Sequence, residues 1–392
     1  MDRRRFLETA GAGGLALVAG CSAEQVETEG STGAPADGGT ETRTATGTES
    51  ETGTTTGSAT AGDETLVVAA YPAFVDAPST SPGAWLKRRF EEETGATLRY
   101  ETPDNELNYY IERARQGADF DADVYVGLDT SGLIRVDEQQ GSGQFTDPLF
   151  AEAGDLAGSD RVKEGLRFDP EGRAVPFDTG YVSLVWNATA DGGEFTAPET
   201  FESLLDPAYE GDLIAQNPTS STTGQAFMLH TIERFGADGY LDYWADLRDN
   251  DVVVLGSWED AYAAYESDEA PMVVSYSTDQ VYANREDQDL QRHRIRFLND
   301  QGYANPEGMA RFADADAPDL ARRFMEFALT PEIQAGIAQR NVAFPAIEDA
   351  PLPDEYAEYA KEPAEAVTFT YEELKGNLGT WTDDWARRFA SG

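Results

Sequence analysis

The sequence predicts an α/β fold in two lobes, with mostly parallel sheets flanked by helices, and three observations carry that reading. From Thr65 onward, short apolar runs alternate with helical patterns, a βαβ succession that implies a largely parallel sheet covered by helices on both faces. At 392 residues the chain is long enough for two domains with real cores. A long extended run from Arg173 to Trp186 is interrupted by Pro176 and Gly180, and it reads as the first crossing between lobes.

Residues 1–21 read as an address label. Asp2-Arg3-Arg4-Arg5-Phe6-Leu7 resembles a twin-arginine export signal, and the apolar, glycine-rich run Ala10 to Gly20 is too short to span a bilayer, which takes about 20 apolar residues. The run ends in Val18-Ala19-Gly20-Cys21, which resembles the lipobox of bacterial and archaeal lipoproteins, so Cys21 is the expected lipid-bearing residue after cleavage. One acyl chain anchors only marginally, and stable attachment takes more than one. Residues 22–63, dominated by Thr, Gly, Glu, Ser and Ala, are expected to form a disordered tether with a reach of about 35 Å.

The folded region then follows in order. Leu66 to Tyr71 is an apolar strand, Ala84 to Thr94 a helix, and Thr97 to Glu101 a second strand. Glu106 to Gln116 is helical, and Ala122 to Leu128 is a buried strand that breaks at Asp129. Beyond the crossing, Leu213 to Gln216 is a short strand, and the polar loop Asn217 to Gly224 opens onto a helix from Gln225 to Phe235. A helix from Gly239 to Arg248 leads to the strand Val252 to Leu255. Trp258 to Tyr282 then sets an aromatic-headed helix, the strand Pro271 to Tyr276 and a polar, tyrosine-rich strand end in succession. Arg294 to Leu298 and Gly308 to Ala313 read as strands, followed by helices from Asp319 to Leu329 and Pro331 to Arg340. Leu374, Leu378, Trp381, Trp385 and Phe389 fall at helical spacing in one terminal helix from Tyr371 to Phe389, as core and docking residues.

Composition narrows the function classes. The formal charge of -44 arises from 73 acidic against 29 basic residues, with lysine only at Lys87, Lys163, Lys361 and Lys375. A nucleic-acid partner is not expected, because binding phosphates takes a basic face. Acidic excess with so little lysine suits a protein kept soluble in very high salt, where screening relieves self-repulsion. With one cysteine, Cys21, and two histidines, His230 and His293, the chain can form no internal disulfide and no Cys/His metal cluster.

Three groups of residues carry possible chemistry. Ser220, Ser221, Thr222 and Thr223 precede a helix, where they either cradle an anion or simply cap the helix. Asp129 follows the strand ADVYVGL, either meeting a ligand at the strand end or capping the next helix. Tyr71, Trp258, Tyr276 and Tyr282 fall at strand ends or helix starts, where their rings either clamp a flat or cationic ligand or pack. Together, anion donors, a carboxylate and aromatic faces suit a ligand with a positive ring, a hydrogen-bond donor and a phosphate.

From about Thr65 to the C-terminus the chain resembles the thiamine-binding components of ABC importers, in the two-lobed periplasmic-binding-protein class (type II) with two inter-lobe crossings. The resemblance rests on Gly127-Leu128-Asp129, Pro176-Phe177-Asp178-x-Gly180-Tyr181, Ser221-Thr222-x-Gly224, Trp258-x-x-Ala261-Tyr262, Ser275-Tyr276-x-Thr278 with Tyr282, and Thr368-Phe369-Thr370. It implies lobe 1 over residues 64–180 and 280–392 and lobe 2 over 181–279. It further implies that Ser220, Ser221 and Thr222 receive the phosphate or hydroxyethyl end of thiamine, with Tyr276 and Tyr282 lining the same mouth. Asp129 would engage the aminopyrimidine or offset the thiazolium charge, and Tyr71 and Trp258 would supply aromatic contact. Where the family carries Asn-Trp-Met-Tyr-Pro, this chain has Asn341-Val342-Ala343-Phe344-Pro345, a loss of one stacking wall worth about 0.5 to 2 kcal/mol of cation-π contact.

The expected protein is therefore a monomeric, exported, lipid-anchored binding protein on the outer face of the membrane. It takes thiamine or a thiamine phosphate without a cofactor and delivers it to an ABC permease. A ferric-ion binder of the same fold, using tyrosine phenolates, is the second reading. An enzyme like the first type of thiaminase needs a cysteine nucleophile, which the folded region lacks. A purely adhesive surface role is the third class. The sequon Asn187-Ala188-Thr189 is admissible as a glycosylation site on an exported chain.

Overall fold

A computed structural model describes residues 64–77 and 80–390; the expected export signal, Cys21 and the tether lie outside the described residues. Eleven strands form one sheet: β1 (Thr65–Ala70), β2 (Thr97–Glu101), β3 (Val124–Leu128), β4 (Ala174–Trp186), β5 (Leu213–Gln216), β6 (Val253–Leu255), β7 (Met272–Tyr276), β8 (Arg294–Arg296), β9 (Gln301–Arg311), β10 (Phe344–Pro345) and β11 (Glu365–Val367). The main path runs β2-β1-β3-β9-β4-β7-β5-β6.

Local sequence explains the two ends of this path. In β1, Leu66, Val68 and Ala70 point into one apolar cluster and Val67 and Ala69 into another, so an unbroken apolar run is a strand buried on both faces. The helices Gly83–Thr94 and Leu107–Gln116 connect β1 to β2 and β2 to β3, and β1 pairs in parallel with both. At the other end β5 pairs in parallel with β6 and β7, joined through the helices Thr222–Phe235, Tyr240–Asp249 and Trp258–Glu266.

The centre departs from the largely parallel expectation. Strand β9 runs antiparallel to β3 and to β4, and β4 runs antiparallel to β7. These pairs join segments far apart in sequence, which leave no local signature. Strand β4 is continuous over the whole run expected as a crossing, and β9 extends well upstream of the expected Gly308 to Ala313. Gly302, Pro306 and Gly308 look like strand breakers, yet Pro306 is accommodated next to a register shift, where a missing N–H is tolerated.

Two further differences concern helices. Tyr282 sits on the helix Asp279–Arg285 and not on a strand end. The C-terminal stretch divides into Tyr371–Leu374 and Leu378–Ala390, with Gly376 at φ +77° between them. Its tryptophans are packing residues, as expected: Trp385 is buried edge-on against Trp244 at 5.3 Å and stacks on Phe389. The sequon asparagine Asn187 is 6 % exposed, and its Oδ1 accepts from Thr189 N and Oγ1 at 2.9 and 2.6 Å.

A buried charge cluster anchors the start of β4. Arg173 donates to both oxygens of Asp137 at 2.6 and 2.8 Å and to Asp169 Oδ1 at 3.1 Å, while Tyr371 donates to Asp137 at 2.5 Å. Replacing Arg173 by alanine would leave two carboxylates without their cation. The expected loss is about 3 to 5 kcal/mol of unfolding free energy, measured by denaturant titration in concentrated salt.

Candidate functional site

Two tyrosine rings lie flat on the backbone because glycines leave them space. A Cβ on Gly127, which sits at φ +99° in β3, would come within 2.5 Å of the Tyr71 ring. A Cβ on Gly180, in the middle of β4, would come within 2.5 Å of the Tyr276 ring. Hydroxyl partners then fix both rings. Tyr71 accepts from Asn341 Nδ2 at 3.0 Å, and Tyr276 accepts from Thr223 Oγ1 at 3.1 Å and from Asn305 Nδ2 at 3.4 Å. Burial pushes both phenols above the usual tyrosine range, so each ring presents a neutral face and a neutral hydroxyl.

The four hydroxyls ahead of the helix Thr222–Phe235 have separate tasks. Ser221 is the N-cap and accepts from Gly224 N at 3.3 Å. Ser220 donates to Gly256 O at 2.7 Å, and Thr223 is buried against Tyr276. Thr222 is exposed and lines a small cavity of about 20 Å³ that opens in part to solvent. The same cavity is lined by Asp129, Ser131, Gln225, Asn305 and Pro306. It lies at the first turn of a helix, where unsatisfied N–H groups and the dipole favour negative charge.

Asp129 both caps and lines. Its Oδ1 accepts from Gly132 N at 2.7 Å at the start of the helix Thr130–Gly141, while the residue forms part of the cavity wall. Burial raises its pKa, and the Gly132 N–H and Arg135 pull it back. Ser131 donates to Gln225 Oε1, which ties this helix start to the helix Thr222–Phe235 across the cavity.

Trp258 begins the helix Trp258–Glu266, donates from Nε1 to Ser275 Oγ at 3.0 Å, and stacks on Tyr262 with ring centres 4.9 Å apart. Since Ser275 and Tyr276 are neighbours in β7, their side chains leave the strand on opposite faces, and the bond to Ser275 holds the tryptophan on the face away from the Tyr276 ring. Tyr282 has other surroundings: its charged neighbours are Glu286, Glu266 and Asp279, and burial followed by these carboxylates raises its pKa. The structure thus brings Tyr71, Asp129, Thr222 and Tyr276 around one region, with Ser220 and Ser221 at its border, Tyr282 on the neighbouring helix and Trp258 held through Ser275 on the other face of β7.

Several groups in this region escaped the sequence reading. Asp178 in β4 and Glu307 in β9 are register partners across the central ladder. Asp178 is 1 % exposed and accepts from Asn341 Nδ2 at 2.7 Å. Burial, then the charge of Glu307, holds its carboxyl well above the usual range. The Glu307 carboxyl is itself pushed up to about 7, mainly by burial and against the pull of the Tyr71 hydroxyl. Neither residue is near the other in sequence, and only Asp178 stood within a recognisable segment. Val342, in the position of the family tryptophan, ends the helix Pro331–Asn341 at φ 51°, a left-handed conformation strained for a β-branched residue. Among the described residues, no group of three or more His, Cys, Asp or Glu side chains is placed to hold a metal ion.

A mixed sheet of this topology, with aromatic, hydroxyl and carboxylate groups converging on a cleft beside its central strands, defines a solute-binding protein of the type II periplasmic class. The chain belongs to the bacterial extracellular solute-binding protein family, whose model matches residues 85–364. The thiamine-binding periplasmic protein of Escherichia coli is 27% identical over 322 residues, covering 82% of this chain and 92% of that protein. Its counterpart from Brucella suis is 25% identical over 330 residues, covering 83% and 92%. A solved periplasmic thiamin binding protein superposes with a TM-score of 0.69 at 26% identity, covering 83% of this chain and 96% of that one. The apo ferric ion-binding protein A of Pasteurella haemolytica, at 15% identity and a TM-score of 0.66, shares the fold.

Because Gly180 seats the Tyr276 ring, Gly180→Ala is expected to swing that ring away from Thr223 and lower stability by about 1 to 3 kcal/mol. A crystal structure of the variant, with a denaturant titration, checks both parts.

Proposed function

We propose that this protein binds thiamine or a thiamine phosphate in the cleft and delivers it to an ABC permease. The observation that carries the reading is the pairing of opposite chemistries across one cleft. The helix start at Ser221 and Thr222 suits an anion, while Asp129, Asp178 and Glu307 suit a cation and its hydrogen-bond donors. Thiamine phosphates carry both, and the relatives named above are thiamine binders.

In this reading the phosphate or hydroxyethyl end meets Ser220, Ser221 and Thr222, and Tyr276 and Tyr282 line that mouth. Asp129 engages the aminopyrimidine or the ring charge, and Tyr71 and Trp258 supply aromatic faces. Residues 64–180 with 280–392 form one lobe and 181–279 the other, the chain crossing in β4 and again near the helix Asp279–Arg285. Closure shifts an open and closed equilibrium toward the liganded state, and the Ser131 to Gln225 bond is one of its latches. The protein is a carrier and not an enzyme, held as a monomer at the outer membrane face through a lipid on Cys21.

Calorimetric titration with thiamine, its monophosphate and its diphosphate tests the ligand. Heat of binding from at least one is expected, and none from all three would end the assignment. Tyr276→Ala is expected to weaken that binding tenfold or more, by loss of stacking and of a hydroxyl partner, while the protein stays folded with a lowered melting temperature. Equal affinity in the variant would remove Tyr276 from the site.

A further inference from the structure

We propose that Glu307, with Asp178 opposite it, is the counter-charge that recognises the cationic ring of the ligand, and that the pair exchanges a bound proton for that cation. The inference rests on the thiamine reading above and adds residues that it does not assign.

Geometry is the first support. Asp178 and Glu307 are direct partners in the antiparallel pairing of β4 and β9, so their side chains leave the sheet on the same face. On each side of β9 the ladder is irregular at this level: register shifts occur between Val126 and Leu128 in β3 and between Pro176 and Asp178 in β4. Such bulges re-aim side chains next to functional sites. Asn305 and Pro306, immediately before Glu307, line the cavity that also holds Asp129 and Thr222.

An unmet need is the second support. Glu307 is partly exposed as a residue, but its Oε2 atom is sealed from solvent and has no hydrogen-bond partner. A buried carboxylate oxygen in that state is costly unless a proton or a cation reaches it. The groups that face the pair are Tyr71 beside β1, Tyr125 of β3, Asp129 and Glu106 around the next helices, Tyr276 from β7, Tyr356 and the neutral Asn341. None of them is a cation. Arg135 acts on Asp129 and Glu106, and it is not among the groups that shift Asp178 or Glu307.

The same facts give the pH dependence and its sign. With the cleft empty, the Glu307 carboxyl titrates near 7 because burial disfavours its charge. A permanently charged ring placed against it favours the ionised form and lowers that pKa. Below pH 7, binding must therefore release a proton to solvent, and affinity falls as pH falls, by at most about tenfold per unit. Above pH 7 the carboxylate is already ionised, and neither effect remains.

Thiamine calorimetry on the full chain, run between about pH 5.5 and 8.5 in two buffers of different ionisation enthalpy, counts the protons directly. Expected for the wild type is release of up to one proton at the acid end, none at the alkaline end, and weaker binding in acid. Glu307→Gln is expected to bind roughly ten- to hundredfold more weakly at alkaline pH, to release no proton, and to converge on the wild type in acid. If the wild type binds thiamine with a constant affinity and no proton release, this inference is overturned while the thiamine reading stands, whether or not the variant folds. If the wild type binds no thiamine at any pH, the reading itself fails and takes the inference with it.

Discussion

Two carboxyl groups stand opposite each other at the centre of this sheet, and the surrounding structure is arranged around that constraint. Burial holds two carboxyls placed opposite each other above their usual range, and at Asp178 the charge of Glu307 adds to that. Asp178 and Glu307 are register partners in that position; Asn341 donates to Asp178, and the Tyr71 hydroxyl lies beside Glu307. Asn341 in turn holds Tyr71, whose ring lies on Gly127. One chain of contacts therefore links β1, β3, β4, β9 and the end of the helix Pro331–Asn341. Because that helix closes through the strained Val342, the donor to Asp178 sits beside a backbone conformation that depends on the rest of the fold.

On the far side of Tyr276 the chemistry changes sign. Thr223 and Asn305 hold the Tyr276 hydroxyl, and Thr222 opens the first turn of a helix whose N-cap is Ser221. A cleft with negative charge on one wall and helix N–H groups on the other orients a ligand that carries both charges. It also penalises the inverted pose, which would bury like charges against each other. These few carboxylates are set apart from the chain's other acidic residues by burial and register.

How much of this was legible in the sequence depended on the distance over which each feature is specified. Strands such as β1 and β3 and the helices between them follow from apolar periodicity and turn chemistry, and the structure has them within a few residues; which of the four hydroxyls caps the helix does not, and the cap is Ser221. Asp129, Thr222 and Tyr276 were singled out because each lies at the end of an element where ligands collect. The antiparallel centre was not legible, since β3 meets β9 across almost two hundred residues and Pro306 disguises β9 as two pieces. For the same reason Glu307 gave no signal: its importance arises from standing opposite Asp178, and register is a tertiary fact. Tyr282 reads equally as a strand end or a helix start in the sequence, because Ser277 and Thr278 continue the hydroxyl-rich run, and the chain turns into a helix at Asp279.

The central claim is that the ladder of β4 and β9 presents a carboxylate pair to a cationic ring. A crystal structure of the protein with bound thiamine tests it most directly. The account predicts ligand density between Tyr71, Tyr276 and Thr222, with the charged ring within about 4 Å of the Glu307 carboxylate. Density with that ring held elsewhere, and Glu307 still without a partner, would contradict it.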